Sequence, residues 1–147
     1  MKTFSLGNTV IDIADFLETR IEEDTLVAFW PESDFANVRF SKLTLQRDGK
    51  EVQNAGKEMI ESRAAKFDLA LNDEGEIVWY YTTQESSEGA PWSIMHYWYV
   101  GLGSHVVIAS CFIDSAKADT NEAKQVLDSM LASVRSIRQK PRTRKKR

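Results

Sequence analysis

The sequence predicts an α+β fold: an antiparallel β-sheet of about six to seven strands packed with two main helices. Three observations predict it. Residues 77–83, 94–100 and 106–113 read as consecutive strands, IVWYYTT, IMHYWYV and VVIASCFI, rich in the β-branched and aromatic residues that suit a pleated, half-buried surface. Three adjacent strands with a shared apolar face form a stable meander, where a lone hairpin does not. Near the C-terminus, Ala123, Val126, Leu127, Met130, Leu131, Val134 and Ile137 fall at helical spacing and make a continuous apolar stripe. Finally, two helical segments are too few to supply the crossovers that a parallel sheet of seven strands needs.

Taken in order, residues 3–6 and 9–13 flank Gly7-Asn8, the signature of a hairpin. Residues 14–24 are acidic and irregular, with Phe16, Leu17 and Ile21 as anchors, and the spacing of Leu17 and Ile21 suits one or two helical turns. Residues 26–30 form a strand ended by Pro31, and residues 32–37 a polar loop. Residues 38–45 alternate, with Val38, Phe40 and Leu45 apolar and Arg39, Ser41 and Lys42 polar; the phase slips at Leu43, which predicts a bulge. Arg47-Asp-Gly-Lys50 is a turn. Residues 54–71 fit a helix whose first turn Gly56 weakens, and Asn72 to Gly75 turn the chain into the meander. The link over residues 84–92 is long, polar and ends in Trp92, whereas residues 101–104 make a tight turn. Asp119 and Glu122 have the spacing of a capping box for the last helix, and Arg135 and Arg138 suit its negative C-terminal end.

The chain has 147 residues, the size of one domain, and its 42% hydrophobic and 28% charged composition is that of a globular protein. The expected organisation is one domain over residues 1–138 followed by a disordered basic tail, 139–147. Nothing at the N-terminus reads as a signal peptide, and no apolar run is long enough to insert in a membrane, so a cytoplasmic location is expected. The net charge of −3 hides an asymmetry. Seven of the nineteen basic residues lie in 138–147; the remaining twelve face all twenty-two acids, so residues 1–137 stand at −10. Such a body repels nucleic acid and attracts a basic partner, mainly through faster association. The tail alone has the charge for weak phosphate contacts, without aromatics for stacking.

No chemical signature stands out. Two histidines, His96 and His105, and one cysteine, Cys111, carry no metal-ligand spacing, so neither a metal nor any other cofactor is expected. Ser110-Cys111 near either histidine is the only nucleophile cluster on offer, and adjacent strand residues point to opposite faces, so only one of the two faces a given histidine. Residues 101–103 lack the third glycine and the lysine of a phosphate loop. What does stand out is aromatic density: Trp79, Tyr80, Tyr81, Trp92, Tyr97, Trp98 and Tyr99 crowd into twenty-one residues. Alternation puts Trp79 and Tyr81 on one face and Tyr80 on the other, and sets Trp98 against Tyr97 and Tyr99. These rings form either a two-sided core or a core on one side and an interface on the other.

The order of these elements, from the opening hairpin over residues 4–13 through the strands 26–30 and 38–45, the helix from Asn54, the aromatic meander and the helix from Asp119, resembles the PsbP-like fold. That fold is shared by photosystem extrinsic subunits, Mog-type Ran-binding proteins and small bacterial domains of the DcrB kind. The resemblance covers residues 1–138, leaves the tail without a counterpart and implies a binding module rather than an enzyme. The reading that follows is a non-catalytic bacterial immunity protein capping a basic toxin or effector domain, with Trp92, Glu85, Glu88, Tyr97 and Tyr99 at the contact and Glu32 and Asp34 beside them. The alternatives are a secretion-system effector chaperone of the same fold and, third, a small hydrolase using His96 or His105.

Overall fold

The computed structural model describes residues 1–29, 36–65, 69–85 and 93–140, leaving out the side chains at 36 and 85. Its strands are β1 (Lys2–Leu6), β2 (Thr9–Ile13), β3 (Glu18–Glu22), β4 (Thr25–Phe29), β5 (Ala36–Thr44), β6 (Gln46–Arg47), β7 (Lys50–Glu51), β8 (Ala70–Leu71), β9 (Ile77–Glu85), β10 (Ser93–Leu102), β11 (His105–Ile113) and β12 (Arg138–Gln139). The helices are α1 (Ala55–Arg63) and α2 (Asn121–Ser136). Seven strands form one antiparallel sheet in the order β3-β4-β5-β11-β10-β9-β8. The fold is therefore α+β, as the meander and the helix stripe predict.

Directly paired residues share a face, so the register sorts the sheet. Leu26, Ala28, Val38, Phe40, Val107, Ala109, Cys111, Ile113, Trp98, Val100, Leu102 and Val78 lie on one face and are buried in the main core. Their cover has two parts. One is α2, which lays Ala123, Val126, Met130 and Val134 on them. The other is a three-stranded antiparallel sheet, β1-β2-β12, which adds Leu6, Ile11 and Ile13. The opposite face carries α1 at the β10–β11 turn. Gly101 is buried there between Ile77 and Val106, and a Cβ on it would press on the backbone of Gly56 and Lys57. Gly56 itself donates its N–H to the Gly103 carbonyl at 2.9 Å, and a Cβ on it would collide with the His105 carbonyl. Close approach of two backbones, and not a weak first turn, explains this glycine.

Several expectations are corrected. Residues 18–22 are not a helical turn but β3, paired with β4 through a tight reversal in which Glu23 takes φ 51°. Ile21 is 50% exposed there and anchors nothing. The helix predicted over 54–71 stops at Arg63, because the chain must cross to the sheet edge, where Ala70 and Leu71 pair with Val78 and Ile77. No bulge interrupts β5: its pairing to β11 runs evenly from Thr44 to Ala36. Leu43 simply faces outward, and Lys42 takes the core-side position. The Lys42 ammonium escapes the core by reaching the β1–β2 turn, donating to the Leu6 carbonyl at 3.1 Å and to Asn8 Oδ1 at 2.9 Å. Burial holds its pKa below the usual lysine value against the pull of Asp24 and Glu51. The cap of α2 is Thr120, one residue past Asp119; its Oγ1 accepts from Ala123 N–H at 3.2 Å, so no capping box forms with Glu122.

The chain ends meet. β12 pairs with β2, and Lys140 N–H donates to the Asn8 carbonyl at 2.7 Å, so residues 139 and 140 lie on the folded body rather than in the tail. Arg138 bridges Asp12 at 3.1 Å and donates to the Ser136 carbonyl at the end of α2 at 2.8 Å. Burial raises the Asp12 carboxyl, but hydrogen bonds from Thr3 and Arg138 outweigh it and leave the pKa below the ordinary value. The rest of the basic tail, 141–147, lies outside the described residues.

Candidate interaction site

The site is built on the β9–β10 pair. Tyr97 lies directly opposite Tyr81, and Tyr99 opposite Trp79. All four rings stand on the sheet face away from α2. Trp79 is 4.7 Å from Tyr81 and 5.2 Å from Tyr99, and Tyr81 stacks on Tyr97 at 5.0 Å, so the rings form one contiguous patch. Each is half-buried. The Tyr81 hydroxyl donates to the Tyr99 hydroxyl at 3.3 Å, and burial, followed by that bond, pushes the Tyr81 pKa well above its ordinary value. The patch pairs flat apolar rings with hydroxyl rims, the composition of a protein-interface anchor.

The other face of the same two strands carries a second set of rings. Trp98 is 4% exposed in the core, and Tyr80 and His96 stack beside it at 4.9 and 5.9 Å. Tyr80 Oη and His96 Nδ1 are 2.7 Å apart. Burial lowers the His96 pKa, so the ring is neutral at pH 7. Cys111 is the cross-strand neighbour of His96, whereas Ser110 sits opposite Tyr97 on the outer face. The Cys111 thiol is fully buried, and desolvation pushes its pKa up to about 12, which leaves almost no thiolate at neutral pH. His105 is not opposite His96: it pairs with Leu102 and Thr44, and its Nδ1 lies 2.9 Å from Thr44 Oγ1. Next to it, Ser104 Oγ donates to Glu51 at 3.2 Å rather than to either histidine. Both His105 and Glu51 line a polar cleft of about 630 Å³ between the β10–β11 turn and β12. Among the described residues, no three His, Cys, Asp or Glu side chains gather into a cation site.

Of the residues expected at the contact, the structure brings Tyr97 and Tyr99 together on one face. Trp92, Glu88, Glu32 and Asp34 lie outside the described residues, as does the side chain of Glu85, whose backbone closes β9. Trp79 and Tyr81 belong to the site equally. Alternation groups the two on one face, but their alignment with Tyr97 and Tyr99 depends on the register across the long 84–92 link, which the sequence leaves open.

No protein-family model matches the chain, and no curated protein does either. A solved structure from Bacteroides thetaiotaomicron VPI-5482 is similar to it, with a TM-score of 0.71 at 14% identity, over 99% of this chain and 50% of that one. The chain thus spans about half the length of that protein, and at this identity the likeness is one of fold.

Proposed function

We propose that the chain is a non-catalytic protein-binding module, and within that class an immunity protein that caps a basic toxin or effector domain. The observation that carries this reading is the four-ring patch of Trp79, Tyr81, Tyr97 and Tyr99 on the sheet face opposite α2. Rings of this kind bring large contact area with few rotatable bonds, which is why they dominate interface energetics. The charge of −10 on residues 1–137 supports a cationic partner, since it speeds encounter with one and disfavours nucleic acid. The buried, high-pKa thiol of Cys111 and the separation of the two histidines along the sheet weigh against the hydrolase alternative.

The test uses the full chain as bait for affinity capture from the cell of origin at low and high salt, followed by mass spectrometry. A basic folded partner, released by salt and lost with Tyr97→Ala plus Tyr99→Ala while far-UV circular dichroism is unchanged, supports the capping role. An apolar effector segment retained at high salt replaces it with the chaperone reading. A partner whose binding ignores both tyrosines overturns the assignment of this surface.

A further inference from the structure

The two edges of the main sheet are built differently. At one edge, β3 places Glu18, Arg20 and Glu22 along its five residues, with Arg20 paired to Glu22 at 2.8 Å. Charges of this kind keep another strand from docking. At the other edge, β8 is two residues long and pairs with Ile77 and Val78 alone. Among the described residues, no strand pairs with the outer side of β9 from Tyr80 to Glu85. This row reads Tyr80, Tyr81, Thr82, Thr83, Gln84, all uncharged residues, with no proline or glycine, and Glu85 only at its end. Tyr80 is 49% exposed, and Thr82 and Gln84 are exposed as well.

We propose that this edge of β9 pairs antiparallel with the same edge of a second copy of the chain, on a twofold axis through Thr82. The two seven-stranded sheets then become one continuous sheet. The row is self-complementary about that axis. Thr82 meets its own copy, Tyr81 meets Thr83, Tyr80 meets Gln84, and the two copies of Glu85 fall at opposite ends, so no like charges oppose each other. A cationic segment would find no acidic ladder to read between Tyr80 and Gln84. The acidic charge of the two bodies acts instead over longer distance, where salt screens it beyond roughly 8 Å at physiological strength. Salt therefore tightens this association, the opposite of its effect on capture of a basic partner, and the pairing stands apart from the capping role.

Light scattering on the full chain across a concentration series at low and high salt tests the pairing. Twice the chain mass, reached at lower concentration in high salt, is expected; a single-chain mass throughout overturns it. The axis is tested by charge. Thr82→Lys and Thr82→Glu each set two like-charged side chains directly opposite each other, with their Cβ atoms about 5 Å apart. Each variant alone should dissociate with a roughly tenfold or greater rise in dissociation constant, and an equimolar mixture of the two should recover the two-chain mass. Dimers that tolerate either single variant, or a mixture that stays monomeric, overturn the proposed axis. Should a Thr82 variant fail to fold, Tyr80→Lys combined with Gln84→Lys repeats the like-charge arm one pair further out.

Discussion

Asn72 shows how much one side chain can hold. It is 9% exposed, and its amide uses its full capacity. Nδ2 donates to the carbonyls of Val134 and Ile137 at 3.1 and 2.9 Å, and Oδ1 accepts from the N–H groups of Glu74 and Glu76 at 3.0 and 2.9 Å. One residue thus caps the end of α2 and shapes the turn into β9. Asn72→Ala removes all four hydrogen bonds, two of them buried and two part-buried, and is expected to cost about 3 kcal/mol, read by urea denaturation; a loss below about 1 kcal/mol would show that water replaces the amide. The histidines make a pH prediction. His105 is buried and His96 half-buried, and burial holds the folded pKa of each below the ordinary one. The unfolded chain therefore binds more protons as pH falls. Their contribution to stability is complete above about pH 6.5 and is lost progressively as pH drops through 6.5 to the lower folded values. Unfolding measured at steps between pH 7 and pH 5 should show this decline, and His96→Phe, which keeps a ring beside Trp98, should flatten part of it.

At the scale of elements, the start of α2 separates two neighbouring candidates. Thr120→Ala removes the side chain that accepts from Ala123 and should cost about 1 kcal/mol, whereas Asp119→Ala, one residue outside, should change thermal unfolding little. Equal losses would restore Asp119 as the cap. The apolar stripe of α2 was readable because a long, strongly periodic segment leaves one solution. The shorter elements were not. Nine residues of α1 and five of β3 hold too few periods to choose between helix and strand, and each takes its form from what it packs on. Glu18 to Glu22 extends because Thr25 to Phe29 offers it a row of hydrogen bonds. In the sequence Gly56 reads as a defect of propensity for the same reason: the backbone it touches, at His105, is forty-nine residues away in the chain.

For the whole molecule, the decisive feature is the second sheet. β1 and β2 pair as a local hairpin that any reading of Gly7-Asn8 would expect, but the strand that completes their sheet comes from the far end of the chain. Arg138 fastens that closure through Asp12 and the Ser136 carbonyl. Arg138→Ala should lower stability by about 1 kcal/mol, the scale of a half-buried ion pair with hydrogen bonds, and the same change made in an Asp12→Asn background should cost less. An unchanged cost in that background would remove Asp12 as its partner. No helix among the described residues is long and apolar enough to cross a membrane.

The sequence by itself determined the α+β class, the aromatic meander, the opening hairpin, the second helix and the alternation within each strand that sets Trp79 and Tyr81 against Tyr80, and Tyr97 and Tyr99 against Trp98. All of these rest on periodicity and turn chemistry within a few residues, which are written into neighbouring side chains. Only the tertiary structure decided the register that packs those four rings into one patch, the end of α1, the role of Lys42 and Asn72, and the pairing of β12 with β2. Each depends on partners distant in sequence, and hydrogen bonds or close contacts between distant segments leave no local pattern from which to read them.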